Sequence, residues 1–268
     1  MSGKVVVVLG GAGGIGRSIA MRCAQQGAVG VVIGDLNSAP REGGRPIHEV
    51  IVEETGCRAA FVGCDVSNAS EVEAAVRATE DWGPLDAAFN VAGVAERGDF
   101  LEVDGAEMDR VIAVNLKGVI HGCQSALRRM VRDGRGAIVN VSSIAGIRPT
   151  FDPLYSATKG GVTTLSASLA MRYGPRGIRV NSLHPGFTAT ALTTFDVPVV
   201  GTELETRRQA VTPLRRTAHP DEIADAALFL ASDLASFVTG AALVVDGGSI
   251  GGFAGAAAAT VSDAEPSP

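Results

Sequence analysis

The 268-residue sequence has little with which to hold a metal, cross a membrane or grip nucleic acid. Its four cysteines, Cys23, Cys57, Cys64 and Cys123, show no close-paired spacing. That argues against a disulfide framework and a thiolate metal site, and it reads as reduced thiols in a cytoplasmic protein. His48, His121, His184 and His219 are scattered without ligand spacing, so no metal is expected. No uninterrupted apolar run is long enough to span a bilayer. Met1-Ser2-Gly3-Lys4 leads directly into a strand-like run rather than a signal peptide. A net charge of −6 leaves no basic excess and argues against nucleic acid as a partner. The local group Arg128, Arg129, Arg132 and Arg135 reads as an exposed helix end.

What the chain does have is core-forming material. Hydrophobic residues make up 46%, enough for fully buried parallel strands. β-Branched runs at 5–9, 29–35, 59–64, 87–90, 137–142, 179–183 and 242–245 alternate with helix-period segments. The helical segments are 14–26, 46–55, 70–81, 106–131, 153–173 and 220–231, and Gly174-Pro175 stops the fifth. Strict alternation implies one α/β domain over residues 1–253, a doubly wound Rossmann-type parallel sheet of seven strands. Such sheets bind ligands at the carboxyl ends of their strands. The Ala-, Ser- and Pro-rich acidic stretch 254–268 is expected to be a disordered tail.

Directly after the first strand comes Gly10-Gly11-Ala12-Gly13-Gly14-Ile15-Gly16, opening into a helix. Glycines there let a pyrophosphate approach the free N–H groups and positive dipole end of the helix. The second strand ends on Asp35, whose carboxylate can accept from the adenosine ribose hydroxyls and would repel a 2′-phosphate. Gly13 and Leu36 supply no compensating cation, so the cofactor expected is NAD. Asp65-Val66, after the third strand, is placed to border the adenine; an ordinary turn reading of Asp65 stands equally open.

Tyr155 and Lys159 stand four residues apart behind Asp152-Pro153, a helix-start signature with Asp152 as N-cap. One turn of helix puts both on one face. A free phenol has a pKa of about 10, and lowering it to roughly 7 takes about 4 kcal/mol of differential stabilisation. A nearby ammonium and the helix dipole both act in that direction, so a tuned Tyr155 can exchange a proton with a substrate oxygen. The pair alone is weak evidence, since surface helices carry it by chance.

With these features in order, the chain resembles the short-chain dehydrogenase/reductase family over approximately residues 4–252. Asn90-Val91-Ala92-Gly93, Val114-Asn115, Val141-Ser142-Ser143, Asn181, Pro185-Gly186 and Asp246-Gly247-Gly248 match further family motifs in sequence order. The resemblance implies Tyr155 as the acid/base and Lys159 as the residue that lowers its pKa and binds the nicotinamide ribose. It further implies a serine that polarises the substrate oxygen and Asn115 holding a water in a proton relay. Asn90, Ala92 and Gly93 would border the cofactor, Pro185 and Gly186 would pass the nicotinamide, and Thr188 and Thr190 would contact it or lie close by. A homotetramer is also implied.

Three departures stand out. Leu9 replaces the usual Thr before the first glycine, and Val91 replaces the second Asn of its motif. Spacing from Tyr155 favours Ser142 as the catalytic serine, whereas the Ser-Ser-x-Ala-Gly context favours Ser143. Ser143 is preferred because the loop 146–152 absorbs a deletion more readily than a strand end shifts register. The expected activity is hydride transfer between NAD(H) and an apolar secondary alcohol or ketone. Ile144, Phe151, Phe187 and Leu192 would flank the substrate, and 194–212 would form a mobile lid. Two alternatives stay open, a non-catalytic NAD-sensing or scaffold protein and a same-fold dehydratase or epimerase.

Overall fold

A computed structural model of the chain describes residues 1–148 and 150–251. The expected tail therefore lies outside the described residues. The element order is β1 (Val5–Leu9), α1 (Gly14–Gln25), β2 (Gly30–Asp35), α2 (Ile47–Thr55), β3 (Arg58–Gly63), α3 (Ala69–Arg77) and β4 (Leu85–Asn90). Then come α4 (Gly105–Ile112), α5 (Gly118–Asp133), β5 (Gly136–Val141), α6 (Pro153–Tyr173) and β6 (Ile178–Pro185). α7 (Glu203–Val211), α8 (Pro220–Ala231) and β7 (Ala242–Val245) follow.

Among the described residues the seven strands form one parallel sheet in the order β3-β2-β1-β4-β5-β6-β7. The four valines and the leucine of β1 are all buried, because helices cover both faces and no side of the strand meets water. One core packs α1, α2 and α8 on the sheet, through Ile19, Ile51 and Ile223 among others. The other packs α3, α5 and α6, through Val72, Met130 and Val162. Strand order reverses between β1 and β4, which opens a crevice beyond their carboxyl ends.

One element of the sequence reading needs correction. The single helix read at 106–131 is broken, with a π-helical turn, Ala113–Lys117, between α4 and α5. The segment 194–212, expected to form a mobile lid, contains the end of a π-turn, Leu192–Asp196, and the helix α7. Of the basic group at the end of α5, Arg128, Arg132 and Arg135 have exposed side chains as expected, and one residue departs. Arg129 is buried and bridges Glu73 and Glu80, each at 2.9 Å.

Gly122 of α5 lies against β4, where an added Cβ would run into the Asn90 side-chain amide and come within 3.0 Å of Leu9. Asn90 is held by a 2.7 Å hydrogen bond to Asn140 and has little room to yield. Helix propensity alone would favour alanine by about 1 kcal/mol. The collision should reverse that sign, and Gly122→Ala is expected to cost about 1–3 kcal/mol. Thermal unfolding should report a fall of about 2–4 °C per kcal/mol, and an unchanged midpoint would show the contact to be loose.

Candidate active site

The crevice is a cleft of about 370 Å³. Its floor is the turn from β1 into α1. Gly10 sits at φ +84°, and a side chain there would strike the backbone of Ala92. Gly16 packs so close to the Gly10 carbonyl that a Cβ is impossible without moving the turn. Gly13, the N-cap of α1, offers no side-chain cap, so the first N–H groups of the helix remain free for an anion. Gly10, Gly14, Ile15 and Gly16 all line the cleft. These features fit a dinucleotide pyrophosphate.

Asp35, Asp65 and Val66 line the same wall. Asp35 accepts from the Ala12 N–H at 2.9 Å and the Leu36 N–H at 2.7 Å. Burial pushes its carboxyl above the usual range; backbone donors from Ala12, Leu36 and Asn37 oppose this, and nearby Glu42 adds to it. The Asp65 carboxylate closes a turn by accepting from the Ser67 N–H and hydroxyl. Glu42 is a feature the sequence reading missed. It accepts from the Ala191 N–H at 3.0 Å and stands 2.8 Å from where a Gly13 Cβ would be. Its neighbour Arg41 makes a bidentate pair with Asp196 at 2.7 and 2.9 Å. The β2–α2 loop is thereby tied across the cleft to residues 191–196.

Ala92, Gly93, Pro185, Gly186, Thr188 and Thr190 continue the lining. Asn90 does not line the cleft, contrary to the sequence expectation. It is buried beneath, donating to Asn140 at 2.7 Å, and Asn140 donates to Ser166 at 2.9 Å. The pleat turns this side chain toward α5 and leaves the following Ala92-Gly93 backbone to form the wall.

Tyr155, Lys159, Ser142 and Ser143 meet at the inner end. Lys159 Nζ lies 5.6 Å from the centre of the Tyr155 ring and donates to the Val141 carbonyl at 3.0 Å. Ser142 points away from the chemistry, its hydroxyl donating to the Lys159 carbonyl at 2.8 Å. Ser143, the next residue, lines the cleft with Tyr155; its hydroxyl accepts from the Ala145 N–H at 3.1 Å and favours the phenolate of Tyr155. The side-chain amide of Asn115 is committed to Val94, accepting from its N–H at 2.8 Å and donating to its carbonyl at 2.9 Å. It thus sits behind Gly93, on the Lys159 side.

Asp152 occupies the N-cap of α6 but makes no cap bond. The cap comes from Glu96, which accepts from the Tyr155 N–H at 2.6 Å. The sequence could not signal this, since the partner is 59 residues away. Burial pushes the Tyr155 phenol up to about 12; the Ser143 hydroxyl opposes this and the Asp152 charge adds to it. Burial also pushes the Lys159 ammonium down to about 8. In the free site desolvation therefore outweighs the cationic tuning expected from sequence.

A glycine-floored dinucleotide cleft ending in a serine–tyrosine–lysine cluster defines a nicotinamide-dependent oxidoreductase of the Rossmann type. A family model described as enoyl-(acyl carrier protein) reductase matches residues 10–249, and the chain belongs to the short-chain dehydrogenase/reductase family. It is 42% identical over 248 residues to the cis-4-hydroxycyclohexanecarboxylate dehydrogenase of Sinomonas cyclohexanicum, covering 91% of this chain and 96% of that one. It is 39% identical over 252 residues to the D-threitol dehydrogenase of Mycolicibacterium smegmatis, covering 92% and 93%. A gluconate 5-dehydrogenase structure from Burkholderia cenocepacia, in complex with NADP and tartrate, superposes with a TM-score of 0.85 at 30% identity. That match covers 94% of this chain and 97% of the other. The activity is hydride transfer on secondary alcohols and their ketones.

The lowered Lys159 has a signed consequence for stability. Its folded pKa of about 8 lies below the ordinary 10.5, so the unfolded chain binds more protons between those values. This group's penalty is complete below pH 8 and fades as pH rises toward 10.5. The interval corresponds to about 3 kcal/mol, of which roughly 1 is offset by the bond to Val141. Lys159→Met should therefore stabilise the cofactor-free protein by about 1–2 kcal/mol at pH 7. Denaturant titrations should show the gain shrinking toward pH 10; a destabilised variant at pH 7 would contradict the burial argument.

Proposed function

We propose that the chain is an NAD-dependent dehydrogenase of a secondary alcohol with an apolar frame, using Tyr155, Ser143, Lys159 and Asn115. The observation that carries this reading is the convergence of Ser143, Tyr155 and Lys159, with Lys159 Nζ 5.6 Å from the centre of the Tyr155 ring, at the inner end of a cleft floored by the glycine turn. A bound nicotinamide would supply the hydride acceptor and, in its oxidised form, a positive charge in the cleft. Ser143 holds the substrate oxygen, and Tyr155 takes the hydroxyl proton in oxidation or gives one to the ketone in reduction. Lys159 steadies the phenolate and holds the ribose. Asn115 fixes the Val94 backbone and so shapes the proton path behind Gly93.

NAD is favoured over NADP by charge. Asp35 and Glu42 put two carboxylates around Gly13, where a 2′-phosphate would meet like charge. The arginines near the loop are engaged elsewhere: Arg17 donates to the Arg45 carbonyl, Arg41 pairs with Asp196 and Arg45 with Glu53. Val94 and Leu192 give the substrate end an apolar lining, with Phe195 half-exposed beside it. The relative acting on a hydroxylated cyclohexane acid supports a ring alcohol as the first compound to test. Assembly as a homotetramer is proposed from the family resemblance, and a solution mass measurement checks it.

The decisive assay follows NADH absorbance with cyclic and linear secondary alcohols and both cofactors. kcat/KM should favour NAD(H) by at least about 10-fold, roughly 1.4 kcal/mol. Asp35→Ala should erode the preference mainly through weaker NAD, and Glu42→Gln should erode it by admitting NADP. Equal or better efficiency with NADP in the unmodified protein would remove the NAD assignment.

Single substitutions test the roles. Tyr155→Phe should abolish turnover with NAD affinity nearly intact, and more than a few per cent residual kcat would sink the acid/base role. Ser143→Ala should lower kcat by about 100-fold or more, the scale of losing an oxyanion donor. Ser142→Ala should mainly cost about 1 kcal/mol of stability through the lost bond to Lys159. The reverse ranking of the two serines would move the catalytic register back one residue.

A further inference from the structure

His184, the residue before Pro185-Gly186, has no part in the chemistry above, yet it is completely buried directly behind the serine. Its Nδ1 lies 2.8 Å from the Ser143 carbonyl and its Nε2 lies 2.8 Å from the Ser182 hydroxyl. A carbonyl only accepts, so Nδ1 must carry the proton and donate to Ser143. Nε2 is then the acceptor, and the Ser182 hydroxyl donates to it. Both partners are thus satisfied by a neutral ring in one tautomer. Burial lowers its pKa; the Ser143 carbonyl opposes this and the Lys159 charge reinforces it.

The chain leaves β5 at Val141 and turns at once into the short 3-10 turn Ile144–Gly146. Ser143 is the hinge, in extended conformation at φ −169°. The Ser142 N–H still pairs with the Leu183 carbonyl at 2.8 Å, which is the last backbone tie from this segment to β6. Beyond it the Ser143 carbonyl accepts from the Gly146 N–H at 2.9 Å within its own turn, and the imidazole is the partner that ties it across to β6. On the other side of the same side chain, the main chain of His184 continues into Pro185 and Gly186, which line the cleft.

From this geometry we infer that His184 is a positioning residue: its Nδ1–H, donated to the Ser143 carbonyl, sets where the Ser143 hydroxyl stands relative to Tyr155. The inference rests on the reading of Ser143 as the substrate-holding serine. It adds to that reading a buried donor which locks the serine's backbone to the strand that carries Pro185-Gly186. Displacement of a positioned group by about 1 Å is enough to cost on the order of 100-fold in rate.

The two ring nitrogens can be tested separately. An Asn side chain places its N–H near the Nδ1 position, whereas Gln reaches toward Nε2. His184→Asn should keep kcat within about 3-fold, while His184→Gln and His184→Leu should lose about 10- to 100-fold. The loss should fall on kcat, with NAD affinity measured by calorimetry unchanged. The deciding arm is a double-mutant cycle. In a Ser143→Ala background His184→Leu should cost no further kcat, because the group through which it acts is gone. Additive losses, a lower NAD affinity in proportion to kcat, or Gln outperforming Asn would overturn the proposal. If Ser143→Ala alone leaves kcat intact, the serine reading fails first, and that single variant separates the two failures. Should His184→Leu fold poorly, the ranking of Asn against Gln still decides.

Discussion

The cleft is organised around a buried ammonium. Lys159 is 2% exposed and forms no ion pair among the described residues; the Val141 carbonyl is its hydrogen-bond acceptor. A cation in that setting is unfavourable, and its lowered pKa measures the strain. Everything close to it must therefore be placed by the rest of the fold. Gly93 leaves room for Nζ, because a Cβ there would come within 3.4 Å. Ser142 fixes the Lys159 main chain from β5, and α6 is held on the sheet by Val162 and Ala170. The apolar sheet stabilises the chain enough to tolerate one costly residue at its carboxyl edge.

Most of the architecture was legible in the sequence because parallel strands buried on both faces leave a strong signal. The uninterrupted Val5–Leu9 run can only be a central strand in an alternating α/β chain, and the structure places it in the middle of the sheet. Pro153 likewise marks the start of α6, and Gly174-Pro175 its end. The glycine turn and Asp35 were legible for a related reason, since a backbone approach and a strand-end acid need those residue types. Ser143 rather than Ser142 was readable only as a preference. In the structure the Ser142 hydroxyl donates to the Lys159 carbonyl, while the Ser143 hydroxyl accepts from the Ala145 N–H and lines the cleft with Tyr155.

What stayed hidden depends on partners distant in sequence or on a local break without a residue code. The π-turn at Ala113–Lys117 interrupts a sequence whose helical period continues through it. Asp152 is a strong cap by type, but Glu96 reaches the same helix end from another loop and replaces it. Asn90 matched a motif assigned to the cofactor, yet β4 turns its side chain into the Asn140–Ser166 network. The Arg41–Asp196 pair and the Glu42–Ala191 contact join segments about 150 residues apart, as their hydrogen bonds record. No spacing rule reaches that far.

The proton chemistry follows from the same burial. Desolvation opposes charge of either sign, so it holds Tyr155 protonated and draws Lys159 toward neutrality. A neutral phenol donating to a ketone needs no further tuning, which suits the reductive direction. The oxidative direction needs the phenolate, and in the proposed reading the charge that favours it arrives with the oxidised nicotinamide. The Ser143 hydroxyl acts in the same sense from the protein side. In that reading Lys159 would hold the ribose and the far end of the proton path, and it is not the sole cause of an acidic tyrosine. The pair read from four-residue spacing is real, but the environment that makes it useful is assembled from β4, β5, β6 and α6 together.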